Sequence, residues 1–254
     1  MVRPDPIDRQ HLRYTEQAAW TAGLRRRLLG RIPDQPAALL LEVGAGTGAI
    51  AADIAAQRPA ARVLALDIDL AACRFGSHLA ADATWHCADA HGLPFRSSSL
   101  DATLFHFVLL WLDDPAQALA EAVRVTRSGG WVAALAEPDH AARLDFPDAL
   151  ARLGDRQTEA LALQGADVRM GRKLRALFAA VDLEEVESGL LGGEWHSSPP
   201  AGEPSFEWET LRRDLELTVP AADLDALEAF DRASWDRGER VLFVPTFYAI
   251  GRVR

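Results

Sequence analysis

Cysteine is scarce in this chain: 2 among 254 residues, Cys73 and Cys87. That is too few for a disulfide framework or a cysteine-rich zinc site, and it fits a reducing compartment. Long apolar runs are also missing. No stretch approaches the roughly 18 apolar residues needed to span a bilayer, so no membrane partner is expected. Residues 1–6 carry no apolar core of a signal peptide, and a cytoplasmic location is expected. Positive charge is in deficit, with Lys+Arg 27 against Asp+Glu 37 and a net charge of −10. Proteins that neutralise phosphates need a basic face, so no nucleic-acid partner is expected. What remains is ordinary globular material, 49% hydrophobic and 25% charged, enough for a core without staples.

The first half alternates strand-like and helix-like segments. Residues 38–43, 62–66, 83–87, 104–110 and 131–136 read as strands. Residues 48–57, 70–80 and 114–125 read as helices, the last with Asp114 as N-cap and Pro115 at the first helical position. The strands are continuous apolar runs, as expected where both faces of a parallel sheet are covered. After Glu137 the rhythm breaks. Residues 145–164, 172–180, 207–217 and 221–236 read as helices, 186–191 as a strand, and 192–205 as a loop. Residues 241–250 read as a last strand, with Pro245 marking an edge or a bulge. The expectation is one domain with a helical lid.

Three signals carry chemistry. Glu42-Val43-Gly44-Ala45-Gly46-Thr47-Gly48 follows the first strand and opens a helix. Its glycines allow a sharp turn and close approach of a ligand. Gly44, Gly46 and Ala49 also satisfy the dinucleotide pattern, so the loop alone leaves both readings open. Asp67 ends the second strand, where a carboxylate can accept ribose hydroxyls. Cys87-Ala88-Asp89-Ala90 ends the third strand and leads into Gly92-Leu93-Pro94-Phe95, followed by Leu100-Asp101, then Glu121, Arg124-Val125 and Gly129-Gly130.

Taken in order over about residues 38–138, these motifs resemble the class I S-adenosylmethionine (SAM) methyltransferases, most similarly the small-molecule branch with the ubiquinone and menaquinone methylases. The resemblance implies a Rossmann-like, doubly wound, seven-stranded and mostly parallel sheet with the last strand antiparallel, plus helical lid insertions. Residues 1–37 would form an N-terminal helical cover and 38–138 the SAM-binding core. Residues 139–170 and 192–238 would be substrate-lid insertions, and 239–254 the final strand. It further implies that Gly44, Ala45, Gly46 and Gly48 lie against the methionine part of SAM, with Glu42 positioning it. Asp67 would hold the ribose and Ile68 pack on the adenine. Asp89 would accept from the adenine amino group, with the Ala90 amide on the ring. Phe105 or His106 would offer a carbonyl to the ammonium. The products would be S-adenosylhomocysteine and a methylated small molecule.

Methyl transfer from a sulfonium is an in-line displacement that rests largely on positioning, with a base needed only when the acceptor must lose a proton. The candidate catalytic residues are His106 and His140 as bases and Glu137 as a residue that orients substrate, while His11 and Tyr14 could close over the ligand. Oxygen is the preferred acceptor, then nitrogen or carbon. No Asn/Asp-Pro-Pro-Tyr segment follows the fourth strand, which disfavours amide N-methylation. No metal-ligand spacing is present, so no metal is expected. The aromatics Phe146, Trp195, Phe206, Trp208 and Trp235, with Met170, could line an acceptor pocket or pack the lid. Arg25-Arg26-Arg27 reads as a solvated face, and Tyr248 on the last strand has no assigned place. A SAM-binding scaffold without turnover and a nicotinamide-dependent oxidoreductase are the rival readings, and a monomer or homodimer is expected.

Overall fold

The computed structural model describes residues 7–192, 204–215 and 218–254. Trp195 lies outside them. Two compact units are present, the larger within Pro4–Glu137, Met170–Leu191 and Thr246–Arg254, the smaller within Pro138–Arg169 and Gly192–Pro245.

The larger unit opens with α1 (Ile7–Trp20) and α2 (Ala22–Leu29), followed by β1 (Leu39–Val43), α3 (Ala49–Gln57), β2 (Arg62–Asp67), α4 (Leu70–Leu79) and β3 (Ala83–Cys87). After β4 (Leu100–His106), α5 (Pro115–Val125) and β5 (Thr126–Pro138), the chain returns to this unit for α7 (Met170–Ala179), β7 (Leu183–Leu191) and β9 (Thr246–Val253). The seven strands form one sheet in the order β3-β2-β1-β4-β5-β9-β7. β1 pairs in parallel with β2 and β4, while β7 and β9 run antiparallel to each other. This is the expected Rossmann-like sheet, mostly parallel with the last strand antiparallel. β1 is central, and its Leu40, Leu41 and Val43 are buried, as a strand covered on both faces requires. Leu28 and Leu29 of α2 and Ile50 and Ile54 of α3 pack into the same core as Leu40, Ala102 and Leu104.

Several boundaries differ from the sequence reading, three of them with a local cause. The fourth strand begins at Leu100 and ends at His106, rather than covering 104–110. Its polar residues hide the start: Asp101 accepts the Leu39 amide at 2.7 Å, and Thr103 shares a hydrogen bond with Thr126 at 2.8 Å. It stops where Phe107 takes a left-handed φ of +53°, and Leu109–Trp111 forms a 3-10 turn. The last strand is broken at Pro245 into β8 (Val241–Phe243) and β9, which belong to different sheets. The helix expected from residue 145 begins only at Asp148, after Pro147, because residues 144–146 pair antiparallel with β8 as β6 (Leu144–Phe146).

The smaller unit holds this β6-β8 pair, α6 (Asp148–Leu163), α8 (Pro204–Leu215) and α9 (Ala221–Asp236). Its own cluster joins Leu150, Leu153, Trp208, Leu211, Leu215 and Leu224. Trp208 is therefore core, and its indole N–H donates to Asp231 at 3.0 Å. Asp231 also receives Arg240 at 2.6 Å, and Arg240 pairs with Asp145 at 2.8 Å. Among the described residues no helix is long and apolar enough to cross a membrane.

Candidate active site

Strand order reverses between β1 and β4, and ligands of open α/β sheets bind at the carboxyl ends beside such a reversal. The glycine loop lies there. Gly44, Gly46 and Gly48 have φ of +74°, +53° and +89°, a region that side chains other than glycine rarely adopt. The loop is closely overlaid. A Cβ on Gly44 would fall inside the Val108 side chain, and one on Gly46 would lie 2.8 Å from the Tyr14 ring. His11, one turn before Tyr14 on α1, shares a 3.0 Å hydrogen bond with Thr47 of the loop. The sequence reading placed both α1 residues over the ligand; the structure places both on the glycine loop itself.

The loop's amides are already engaged. Gly44 and Ala45 donate to the Leu66 carbonyl at 2.8 and 2.9 Å, and Gly48 donates to the Ala45 carbonyl at 2.9 Å. Gly46 donates to the Asp67 carboxylate at 2.7 Å. A diphosphate-binding turn presents such amides to the ligand. Here Gly44, Ala45, Gly46 and Gly48 spend theirs within the chain.

Glu42 supplies the opposite feature. Its side chain is buried, and its Oε2 has no hydrogen-bond partner. Burial, reinforced by the Asp67 charge, pushes its carboxyl up to about 8, although Arg25 pulls the other way. A buried charge requires a counter-charge, so Glu42 would need a cationic partner in order to ionise. Asp67 accepts from the Asp69 amide at 2.9 Å as well as from Gly46, so it is fixed at the loop's rim. Ile68 beside it is 72% exposed, an open apolar face.

Asp89 ends the third strand's turn and accepts both the amide and the ring nitrogen of His91, at 2.9 and 2.7 Å. These bonds hold its carboxyl below the usual range, the amide bond contributing most. Ala90 is buried beside it. The following segment is clamped by residues that carried no role in the sequence reading. Glu121 accepts the Leu93 amide at 2.8 Å and a bidentate pair from Arg124 at 2.6 and 2.7 Å. Arg124 in turn donates to the carbonyls of Leu93 and Phe95, both at 3.0 Å.

The candidate catalytic residues are held very differently. Phe105 and His106 end β4, both buried. His106 Nε2 lies 2.8 Å from the Thr21 hydroxyl, which also receives Arg25 at 2.9 Å. Burial and the Arg25 charge drive the imidazole down to about 3, so it is neutral at ordinary pH. Arg25 was expected on a solvated face, yet it is only 2% exposed and pairs with Asp53. Its helix turns it inward, while Arg27 pairs with Glu187 at 2.8 Å. Tyr248 donates to that same Glu187 at 2.9 Å. Glu137 is fully buried, and its carboxylate receives the amides of Val108, Leu109 and Leu110 at 3.0, 3.0 and 3.4 Å. Burial raises it to about 7 against the pull of those amides. It caps the 3-10 turn that carries Val108 over Gly44. His140 belongs to the smaller unit, where burial and Arg143 lower it to about 4. Met170 opens α7 in the larger unit and is buried. Among the described residues, no group of three His, Cys, Asp or Glu side chains could hold a metal ion.

Residues 41–134 match a family model described as a methyltransferase domain. A demethylmenaquinone methyltransferase of Renibacterium salmoninarum is 35% identical over 106 residues, 42% of this chain and 44% of that protein. A ubiquinone/menaquinone biosynthesis C-methyltransferase of Desulfotalea psychrophila is 30% identical over 128 residues, 48% of this chain and 51% of that protein. The chain thus spans about half the length of the curated relatives it matches. The YcgJ protein of Bacillus subtilis shares the fold with a TM-score of 0.60 at 16% identity, covering 92% of this chain and 99% of that one. A geranyl diphosphate C-methyltransferase of Streptomyces coelicolor does so at 0.55 and 14%, covering 91% and 79%. The matched segment resembles methyltransferases of the menaquinone and ubiquinone branch, and the fold is shared with the two solved structures.

Proposed function

We propose that this chain transfers a methyl group from SAM to a small organic acceptor, with oxygen preferred over nitrogen or carbon. The observation that carries this reading is the buried, orphaned Oε2 of Glu42 beneath a loop whose glycine amides are already engaged. SAM carries a cationic ammonium and no phosphate, so it needs the carboxylate and does not need the amides. A nicotinamide dinucleotide has the opposite requirements. When bound, SAM supplies a sulfonium-activated methyl group for in-line displacement.

The chain's own residues then have the following parts. Glu42 ionises and balances the ammonium, aided by a carbonyl of Phe105 or His106. The positive-φ glycines keep the loop close to the methionine part. Asp67 retains free lone pairs for the ribose hydroxyls, and Ile68 offers its exposed face to the adenine. Asp89, held ionised by His91, accepts from the exocyclic amine. Glu137 holds the 108–110 turn and touches no substrate in this reading. His106 stays neutral and positions its own strand end, so orientation rather than proton transfer supplies most of the rate. The segments 139–170 and 192–238 lie outside the matched domain, and acceptor choice is assigned to them. The curated relatives span C-methylation and the O-methylation of a malonyl carrier protein, which is the range from which an acceptor screen should start.

Calorimetric titration with SAM, S-adenosylhomocysteine and NADH tests the reading. Micromolar binding of the first two, without NADH, is expected. Asp67→Ala should weaken SAM at least tenfold while leaving the thermal midpoint within a few degrees. Binding of NADH alone would overturn the assignment.

A further inference from the structure

The chain's two cysteines lie 14 positions apart in sequence, and their thiols serve the carbonyls of two adjacent residues, Asp67 and Ile68. Cys87 closes β3, in parallel register opposite Asp67. Cys73 sits in α4, with its amide bonded to the Asp69 carbonyl. The Cys73 thiol donates to the Asp67 carbonyl at 3.6 Å, and the Cys87 thiol donates to the carbonyl of the next residue, Ile68, at 3.5 Å. The Cys73 thiol also donates to the carbonyl of His86, the residue bonded to Cys87, at 3.5 Å. Both thiols are free; Cys73 is buried and Cys87 is exposed. The pair therefore sits directly under the Asp67–Ile68 corner, and its S–H groups help hold that corner's backbone.

We propose that Cys73 and Cys87 form a reversible intramolecular disulfide in response to peroxide, and that the bond disturbs the Asp67–Ile68 corner. The second half rests on the SAM reading given above. Cys87 reacts first because it is accessible. Its thiol gives a proton to solvent, the thiolate attacks one peroxide oxygen, the O–O bond breaks, and a sulfenic acid and hydroxide result, the hydroxide taking up that proton as water. Cys73, protonated and shielded until then, attacks the Cys87 sulfur; the S–S bond forms and hydroxide leaves, taking the Cys73 proton as water. Two thiols and one hydrogen peroxide give one disulfide and two waters, a two-electron oxidation of sulfur. Neither thiol then has a hydrogen for the carbonyls of Asp67 and Ile68, and the start of α4 is tied to the end of β3.

The test treats the full chain with a small excess of hydrogen peroxide. The expected result is a loss of about 2 Da in intact mass, disappearance of both reactive thiols under denaturing conditions, and a Cys73–Cys87 linked peptide, all restored by a dithiol reductant. A sulfinic acid on Cys87, or a bond between two chains, would overturn the pairing, as would retention of both thiols. Cys73→Ser and Cys87→Ser should each lose the 2 Da change. SAM affinity should fall at least threefold on oxidation and recover on reduction, with both serine variants unresponsive; an unchanged affinity with the disulfide formed would overturn the effect on the corner. Absence of SAM binding in the reduced protein would refute the methyltransferase reading instead. The mass measurement distinguishes the two because it needs no ligand.

Discussion

Replacing Glu42 by glutamine keeps the shape of the side chain and removes its titration. In the free protein the carboxyl is raised from 4.5 to about 8, burial being the first cause. A raised carboxyl binds its proton more tightly in the folded chain, so its contribution is full at low pH and is lost as pH climbs toward 8. Between pH 7 and 9 the unfolded chain is ionised throughout, while the folded one must give up its proton. The difference is about 1.4 kcal/mol. For a chain of this size that is a fall of roughly 3–6 °C in thermal midpoint. Glu42→Gln should not show it, so the midpoints of the two proteins should converge or cross over this range. The same proton reports on the ligand. At pH 7 a group titrating near 8 is about nine-tenths protonated, and pairing with an ammonium must expel that proton. Calorimetry in two buffers of different ionisation enthalpy should show about 0.9 proton released per SAM bound. The variant should show almost none, with weaker binding. Parallel stability curves for the two proteins from pH 7 to 9, or equal proton release, would refute the assignment of Glu42 as the cation's partner.

Two further variants test the frame around the site. A methyl group on Gly76, inside α4, would enter the Trp85 ring. Gly76→Ala should therefore cost roughly 1–3 kcal/mol in urea unfolding, reversing the gain of about 1 kcal/mol that alanine brings to a helix interior. His106 is depressed to about 3, so the unfolded chain takes up a proton near pH 6.5 that the folded one refuses, and stability is lost as pH falls. His106→Gln, which can still accept from Thr21, should lessen the loss between pH 6.5 and 5 by about 1.5 kcal/mol, read as a flatter midpoint curve.

The glycine loop and the carboxylates at the strand ends were legible in sequence because their demands are local. A strand that must turn within a few residues needs glycine at positive φ, and a carboxylate at a strand end marks itself. Glu137 shows where this stops. Its place at the end of a strand suggested a residue that orients substrate, and in the structure its oxygens accept the amides of Val108, Leu109 and Leu110. The signal was present in the short 107–111 connection, whose turn needs a cap, but nothing in the order of residues says which carboxylate reaches it. The ends of β4 and β9 were misplaced for a related reason: Asp101 and Thr103 are polar yet belong to the strand, and the apolar run across Pro245 joins two sheets.

Arg25 is the most instructive of the residues misread. Three arginines in a row on a helix point in three directions, and composition cannot say which one turns inward. The structure shows that Arg25 does, between Thr21 and Asp53. Its single charge acts on two site groups at once, lowering the carboxyl of Glu42 toward ionisation and lowering the imidazole of His106 away from it. The first effect only partly offsets the burial and the Asp67 charge that keep Glu42 protonated near neutral pH, while the second adds to the burial that keeps His106 neutral. Arg25 lies outside residues 41–134, the stretch that matches the methyltransferase family. The carboxyl therefore comes from the matched segment, while one of the charges that act on it comes from a helix that precedes that segment, and the order of residues within the segment carries no sign of it.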